Sequence, residues 1–291
     1  MQNIELQALA KINLGLDVLG KRENGYHDVR MVMQTIYLYD TITLQRTKEK
    51  GIHLQTNLFF LPVNENNIAY KAAKLLMEEF HIEEGVSIRL QKHIPVAAGL
   101  AGGSSNAAAV LYGMNMIFEL GLSLKQLMAR GVELGADVPY CLMRGTVLAE
   151  GIGEILTPLS PMPKCHVLIA KPPISVSTKF VYERLDNCEI KNHPNIDGII
   201  EGLRHCNLNQ IAGSMGNVLE KVTIGEYPVI EKIKDAMKEA GAFNAMMSGS
   251  GPTVFGIFPD RRTAKIAQQK IKEQQLAKQV YLTNVHNARR K

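Results

Sequence analysis

The sequence predicts an α+β protein built from two unequal parts. In the first part, β-prone segments with alternating polarity surround three helical patterns, whereas helical patterns predominate in the second part. Three prolines, at positions 158, 161 and 163, separate the two parts. Because prolines interrupt regular structure, and 291 residues exceed a typical single domain, we predict domains over 1–158 and 159–291.

The first part begins with a predicted strand over 4–19, followed by a turn at Asn24-Gly25. Further strands are predicted at 29–38, 40–46, 51–56 and 86–92. A helix is predicted over 67–80, with one apolar face made by Ala69, Ala72, Ala73, Leu76 and Phe80.

The last of the three helices follows Ser123, which forms a potential capping box with Gln126. Gly135 ends this helix. Because the residue before a proline favours an extended backbone, Asp137-Val138-Pro139 predicts an extended exit into a strand near 140–150.

The second part is predicted to begin with a strand at 166–170. Segment 245–258 reads as strand, glycine turn and strand, and a last strand is predicted at 279–285. The predicted helices cover 177–185, 196–204, 207–222, 228–240 and 261–275.

The segment PVAAGLAGGSSNAAA (95–109) carries the strongest functional signal. Its glycines precede an apolar helical face formed by Val110, Leu111, Met114, Ile117 and Phe118. Either Ser104 or Ser105 suits the N-cap position, and the first turn has no acidic residue. A glycine-rich loop that leads into a helix N-terminus presents free N–H groups and a positive dipole end, so we predict a phosphate site. The Walker, dinucleotide and nucleophile-elbow patterns do not match this segment.

Composition narrows the functional class. The net charge of +5 is modest and its basic residues are dispersed, which suits a small anionic substrate better than nucleic acid. The four cysteines lack a C-x-x-C pair, which indicates free thiols in a reducing compartment. Without a signal-like or membrane-spanning apolar stretch, we expect a cytoplasmic protein with neither a nucleic-acid nor a membrane partner. The histidines show no metal-ligand spacing, so no protein metal site is predicted.

Three polar loops, taken in order, resemble the three motifs of the GHMP small-molecule kinases. They are Lys11-Ile12-Asn13 with Gly25-Tyr26-His27, the glycine loop, and Ser248-Gly249-Ser250-Gly251-Pro252. The resemblance covers about residues 8–258, and it implies the two-domain α+β fold of that family with the active site in the interdomain cleft. Two segments, AKINLGLDVLGKRENGYHDV and GADVP, narrow the resemblance to the branch that acts on a CDP-linked methylerythritol.

The resemblance implies that ATP phosphorylates the 2-hydroxyl of this CDP-linked alcohol. It implies Mg²⁺ as a companion of ATP, with Ser104 or Ser105 as the protein contact through the phosphates. Expected ATP contacts are Asn67, Lys92, Pro95, Val96, Ala97, Ala98, Gly99, Leu100, Ala101, Gly102, Gly103, Ser104 and Ser105.

Asp137 is the expected proton acceptor, because phosphoryl transfer from ATP to an alcohol needs a carboxylate near the hydroxyl. Lys11 lies in an apolar strand where an ammonium needs a partner, and the resemblance places it beside Asp137 as a second catalytic residue. Asn13 and His27 offer polar groups to a cytosine edge, Tyr26 offers a stacking face, and the resemblance implies that Tyr182 stacks on the other side of the base.

Two other functions remain open at this point. One is a different GHMP kinase, of the homoserine or mevalonate type, and the other is a nucleic-acid-binding module. The Tyr26-His27 turn and Tyr182 favour the cytidine-bearing substrate over the first alternative. An aromatic content of 6% without basic–aromatic interleaving argues against the second.

Overall fold

A computed structural model describes residues 2–288 and shows a mixture of helices and sheets. The strands are β1 (Asn3–Lys21), β2 (His27–Thr47), β3 (Ile52–Thr56), β4 (Gly85–Gln91), β5 (Thr146–Glu150), β6 (Ile155–Pro158), β7 (His166–Lys171), β8 (Gly216–Asn217), β9 (Asn244–Met247), β10 (Val254–Phe258) and β11 (Gln279–Asn284). The helices are α1 (Ile68–Glu79), α2 (Gly102–Ile117), α3 (Leu124–Leu134), α4 (Val138–Met143), α5 (Thr178–Leu185), α6 (Ile196–Arg204), α7 (Leu208–Ser214), α8 (Glu220–Glu226), α9 (Val229–Glu239) and α10 (Arg261–Glu273). The predicted α+β class is confirmed.

The contacts divide the described residues into two compact units. The first unit comprises 2–10, 38–96 and 101–143, and the second comprises 11–37, 97–100 and 144–288. The long strands β1 and β2 are divided between the units, so that each strand has one portion in the first unit and one in the second. The predicted boundary at 158/159 stays a prediction, since the contact units divide the chain at other points.

In the first unit the strand order is β3-β4-β2-β1. β4 pairs antiparallel with β2 and parallel with β3. Helix α2 contributes the core residues Val110, Leu111, Met114 and Ile117, as its spacing predicts, whereas Phe118 caps the helix and is half-buried. The predicted α1 face is also buried, except that Phe80 caps the helix and is only half-buried.

The second unit contains strands in the order β6-β5-β2-β1-β8 and a separate sheet in the order β11-β7-β10-β9. Strands β7 and β10 are central in the latter sheet and pair antiparallel, with Phe255 opposite Ile169. Every residue of β10 is buried, and α9 and α10 contact this sheet. Burial on both faces explains why VFGIF is a continuous apolar run without alternation.

The predicted strands 29–38 and 40–46 form one strand, β2. The predicted break at position 39 is therefore wrong, because the strand runs without interruption from His27 to Thr47. Asp40, one of the buried polar residues of β2, accepts hydrogen bonds from the backbone N–H groups of His93 (2.7 Å) and Ile94 (2.8 Å), so its carboxylate is satisfied inside the sheet.

The prediction of an extended exit at Val138-Pro139 and of a strand from 140 is also wrong. Helix α4 begins at Val138, and β5 begins only at Thr146. Proline fits the first turn of a helix, where its missing N–H costs nothing and its fixed φ is already helical. Strand β6, which pairs with β5, has no counterpart among the predicted elements.

The single helix predicted over 207–222 is divided into α7, β8 and α8. Tertiary contacts override the helical pattern here. Gly216 pairs with Gly15 of β1, and the Asn217 side-chain amide donates to the carbonyls of Met247 (2.9 Å) and Gly249 (2.8 Å).

Candidate active site

The glycine loop leads directly into α2, which begins earlier than its capping residues predicted. The N-cap is Ala101, which adopts a left-handed conformation (φ 54°) and makes no side-chain capping bond. The predicted N-cap at Ser104 or Ser105 is therefore wrong, since both serines lie inside the first helical turn. A helix start without a side-chain cap leaves first-turn N–H groups for an external acceptor, which suits an anion.

The two serines of the loop differ in what their side chains can do. Ser105 is buried, and its hydroxyl donates a 2.7 Å hydrogen bond to the carbonyl of Leu9. Ser105 thus fixes the start of α2 against β1. Ser104 is half-buried, so its hydroxyl is better placed for a ligand at the helix start.

The N-terminal end of the glycine loop packs tightly against the Ser248–Gly251 turn within the second unit. Gly99 has φ +70°, and a Cβ built there would lie 2.1 Å from the carbonyl oxygen of Ser248. The Ser248 hydroxyl in turn donates to the carbonyl of Gly99 at 2.9 Å. Only glycine satisfies both the backbone conformation and this close approach.

Lys11 joins the same cluster. Its backbone N–H donates to the carbonyl of Leu100 at 3.1 Å, and its Nζ would be 3.6 Å from a Cβ at Gly249. Lys11 is 5% exposed, and its Nζ donates a 2.7 Å hydrogen bond to Oδ1 of Asn13. The second unit thus brings together residues from all three motifs.

Asn13 is completely buried, and its amide nitrogen also contacts the sulfur of Met31 at 3.4 Å. The structure therefore shows Asn13 as a support for the Lys11 ammonium. Its expected contact with the substrate stays a prediction.

A buried ionic cluster lies beneath the start of α2 in the first unit. The Lys92 ammonium binds the Asp40 carboxylate and donates to Oδ1 of Asn106 at 3.0 Å. A Cβ built at Gly102 would lie 3.2 Å from Nζ of Lys92, so this ion pair lies directly against the glycine loop. Asp40 was not identified from the sequence, although a lone carboxylate in an apolar strand is a recognisable signal for a buried partner.

Asn67 and Asp137 each lie next to the start of a helix. Asn67 is the N-cap of α1, where Oδ1 accepts from the N–H of Ala69 at 2.9 Å and the amide donates to the carbonyl of Pro62 at 2.8 Å. Asp137 is half-buried and directly precedes α4, and its carbonyl accepts from the N–H of Cys141 at 3.0 Å. The roles expected for both residues stay predictions.

An aromatic group lies at the start of β2 in the second unit. Tyr26 is 59% exposed, so a ring face is available for stacking. The ring centroids of His27 and Tyr182 lie 4.8 Å apart with an interplanar angle of 37°. The sequence singled out these three residues, but it did not identify Asp186, whose Oδ1 lies 2.6 Å from Nε2 of His27.

Metal and membrane features can be assessed for residues 2–288. No group of three or more His, Cys, Asp or Glu side chains is arranged to hold a metal ion within that range. No helix in the same range is both long and apolar enough to cross a lipid bilayer.

Two family models match the chain. The model described as the GHMP kinases N terminal domain matches residues 67–145, and the model described as GHMP kinases C terminal matches residues 199–276. A protein from Lachnospira eligens is 61% identical over 97% of this chain and 98% of its own length. A second protein, from Alkaliphilus metalliredigens, is 50% identical over 100% of this chain and 99% of its own. Both relatives are named 4-diphosphocytidyl-2-C-methyl-D-erythritol kinase.

Solved structures also match this chain. A crystal structure of 4-(cytidine 5'-diphospho)-2C-methyl-D-erythritol kinase matches 98% of this chain and 100% of its own, with a TM-score of 0.82 and 30% identity. A homoserine kinase from Cytophaga hutchinsonii matches with a TM-score of 0.77 at 23% identity, over 98% of this chain and 95% of its own. The second likeness concerns the fold alone.

Proposed function

This chain belongs to the GHMP kinases, and on that premise we propose that it transfers the γ-phosphate of ATP to the 2-hydroxyl of 4-diphosphocytidyl-2-C-methyl-D-erythritol. The observation that carries this proposal is the 61% identity to a relative of that name over nearly the whole of both chains. The alternative acceptors, homoserine and mevalonate, belong to neighbours at 23% and 14% identity. The enzyme is thus a kinase that uses ATP, with a role in the formation of isoprenoid precursors.

We propose that the glycine loop binds the phosphates of ATP. Support comes from the uncapped start of α2. Its backbone N–H groups and the helix dipole act in the same direction on an anion. Asn67, Lys92 and residues 95–105 are the proposed neighbours of the nucleotide.

Mg²⁺ is the proposed companion of ATP. Since residues 2–288 provide no cluster of carboxylates or imidazoles for a metal, the ion would be held chiefly by the phosphates, with the Ser104 hydroxyl as the protein contact. When bound, it neutralises charge on the transferred phosphoryl group.

Asp137 is the proposed base. The 2-hydroxyl gives its proton to the Asp137 carboxylate while the alcohol oxygen forms a bond to the γ-phosphorus. The bond from that phosphorus to the bridging oxygen breaks, and ADP leaves. Lys11 is the proposed second catalytic residue, whose fixed positive charge favours the ionised form of the reacting oxygen.

The Asp137→Asn variant tests the role of this carboxylate. The amide is nearly isosteric and cannot accept the proton, so we expect kcat to fall by roughly 10²–10⁴-fold while calorimetry shows unchanged ATP affinity. Wild-type turnover in this variant would remove Asp137 from the mechanism.

The cytidine end of the substrate is proposed to bind at Tyr26, His27 and Tyr182. The exposed ring of Tyr26 supports this, because base stacking on an aromatic contributes about 1–3 kcal/mol. Asn13 is the proposed polar contact for the cytosine edge, in addition to its hydrogen bond with Nζ of Lys11.

A cytoplasmic location without a nucleic-acid partner completes the proposal. All four cysteines are free thiols, including the exposed Cys206, which suits a reducing compartment. Burial raises the pKa of the Cys165 thiol to about 12, so this thiol is unreactive. Retention on a nucleic-acid column at about 0.2 M salt would contradict the absence of such a partner.

The experiment that tests the proposed function measures ADP release from ATP with a panel of alcohols. The panel contains the CDP-linked methylerythritol, free methylerythritol, homoserine and mevalonate. We expect turnover with the CDP-linked alcohol alone. Comparable turnover with free methylerythritol would show that the cytidine end is not recognised.

A further inference from the structure

The edge of the His27 ring is held by Asp186. Oδ1 of Asp186 lies 2.6 Å from Nε2 of His27, and Oδ2 accepts a 2.6 Å hydrogen bond from Nζ of Lys21. The bond from Lys21, followed by the bond from His27, holds the pKa of Asp186 below its usual value. The carboxylate is therefore ionised at neutral pH. Because an ionised carboxylate only accepts hydrogen bonds, Nε2 of His27 must carry the proton.

Helix α5 positions two contacts on this one ring. Tyr182 and Asp186 are one helical turn apart, and the N–H of Asp186 donates to the carbonyl of Tyr182 at 3.0 Å. Residues four apart lie on the same side of a helix, so Tyr182 contacts a face of the His27 ring while Asp186 binds its edge. A carboxylate at a helix C-terminus opposes the helix dipole, and here Lys21 and His27 compensate it.

The position of the proton determines what the other ring nitrogen can recognise. In a neutral imidazole one nitrogen donates and the other accepts, so a proton on Nε2 makes Nδ1 an acceptor. Within residues 2–288, Nδ1 of His27 has no hydrogen-bond partner, and the side chain keeps 9% of its surface exposed. Cytosine presents an amino group at its C4 position, whereas uracil presents a carbonyl oxygen there. An acceptor at Nδ1 therefore favours the amino group of cytosine. The C4 carbonyl oxygen of uracil would face this acceptor without a hydrogen-bond donor.

We propose that Asp186 is a positioning residue that fixes the Nε2–H form of His27 and thereby makes the enzyme prefer a cytidine-bearing alcohol to its uridine counterpart. This inference rests on the proposed function, since it requires that the cytosine base lie at His27.

The Asp186→Asn variant gives the sharpest test. The Lys21 ammonium requires an acceptor, so the amide oxygen turns toward Lys21 and the amide NH₂ toward His27. Nε2 must then accept, and the proton moves to Nδ1, which becomes a donor. We expect the ratio of kcat/KM for the cytidine alcohol to kcat/KM for the uridine alcohol to fall by roughly 5–150-fold. The change should appear in KM for the alcohol, with KM for ATP unaltered.

Nitrogen-15 NMR of the free protein reads the tautomer directly. We expect a proton on Nε2 in the wild type and on Nδ1 in Asp186→Asn. The matched control is Asp197→Asn, because Asp197 also binds a side chain of β2, that of Arg30, through two hydrogen bonds of 2.6 and 3.0 Å. The control should keep both the wild-type ratio and the wild-type tautomer.

The possible failures can be distinguished. If Asp186→Asn keeps the wild-type ratio, or if the control loses it equally, the positioning role of Asp186 is wrong while the proposed function stands. If the wild type phosphorylates neither alcohol, the proposed function is wrong and the specificity inference falls with it. The NMR measurement then still decides whether Asp186 sets the tautomer.

Discussion

Nζ of Lys11 donates a 2.7 Å hydrogen bond to Oδ1 of Asn13, two residues further along β1. Both side chains are buried, and a buried ammonium is stable only where its donors are satisfied. This pair therefore holds one positive charge in a fixed position beside the Gly249 backbone. A fixed charge of this kind stabilises a transition state without reorganisation.

Replacing Lys11 should affect the chemical step more than nucleotide binding. We expect Lys11→Ala to lower kcat by roughly 10²–10³-fold, with ATP affinity changed far less. Steady-state assays of ADP release give kcat, and calorimetry gives the Kd for ATP. An equal loss in both would mean that Lys11 serves binding and not catalysis.

The glycine loop can be tested at Gly103. This residue is exposed, and a Cβ there would be in ordinary contact with Ile68 at 3.6 Å, so Gly103→Val should fold normally. If phosphate approaches this backbone, the branched side chain should raise the Kd for ATP by roughly tenfold or more.

Gly213→Val is the matched control for Gly103→Val. Gly213 is also an exposed helical glycine, and a Cβ there meets nothing within 4 Å. The control should bind ATP like the wild type, with circular dichroism confirming the fold of both variants. Wild-type ATP affinity in Gly103→Val would mean that this end of the loop does not approach the nucleotide.

Removing one member of the Lys92–Asp40 pair should strongly destabilise the protein. Their side chains are 5% and 0% exposed, and removing one member of a buried ion pair costs about 3–5 kcal/mol because it leaves the other charge uncompensated. We expect this loss in the free energy of unfolding for Lys92→Met, measured in urea. The double variant Lys92→Met/Asp40→Asn should lose less than the sum of the single variants, and additive losses would show that the two groups are not coupled.

Tyr26 tests the cytidine subsite. Because stacking contributes about 1–3 kcal/mol, Tyr26→Ala should raise KM for the CDP-linked alcohol by roughly 5–150-fold. Because Tyr26 is 59% exposed, we expect the variant to fold normally. Tyr37 of β2, which is 50% exposed and packs edge-on against His286, supplies the control Tyr37→Ala, which should keep the wild-type KM. An unchanged KM in Tyr26→Ala would place the base elsewhere.

Local sequence signals predicted the elements whose cause is local. Ser123 and Gln126 form the complete capping box of α3, and the spacing of α2 identified its buried face. The Ser248–Gly251 turn was visible from its glycines. What these signals could not show is that Gly99 and Ser248, 149 positions apart, interlock.

Several features that the sequence did not reveal depend on distant partners. Asp40 is buried in β2 because backbone N–H groups beyond β4 satisfy its carboxylate. Asn217 interrupts a helical pattern because its amide binds carbonyls near 247–249. Asp186 lies only four residues beyond Tyr182, but its side chain contacts Lys21 and His27, which are about 160 positions earlier in the chain. None of these contacts leaves a periodic trace in the sequence.

The central claim is that ATP phosphorylates the 2-hydroxyl of a CDP-linked methylerythritol. In the most direct measurement, the purified protein is incubated with ATP, Mg²⁺ and this alcohol. The product is then identified by phosphorus-31 NMR and mass spectrometry. We predict a new phosphate monoester on the methylerythritol carbon 2, formed in equal amount to ADP and absent from the Asp137→Asn reaction. Release of ADP without this monoester, or a phosphate at another position, would contradict the account.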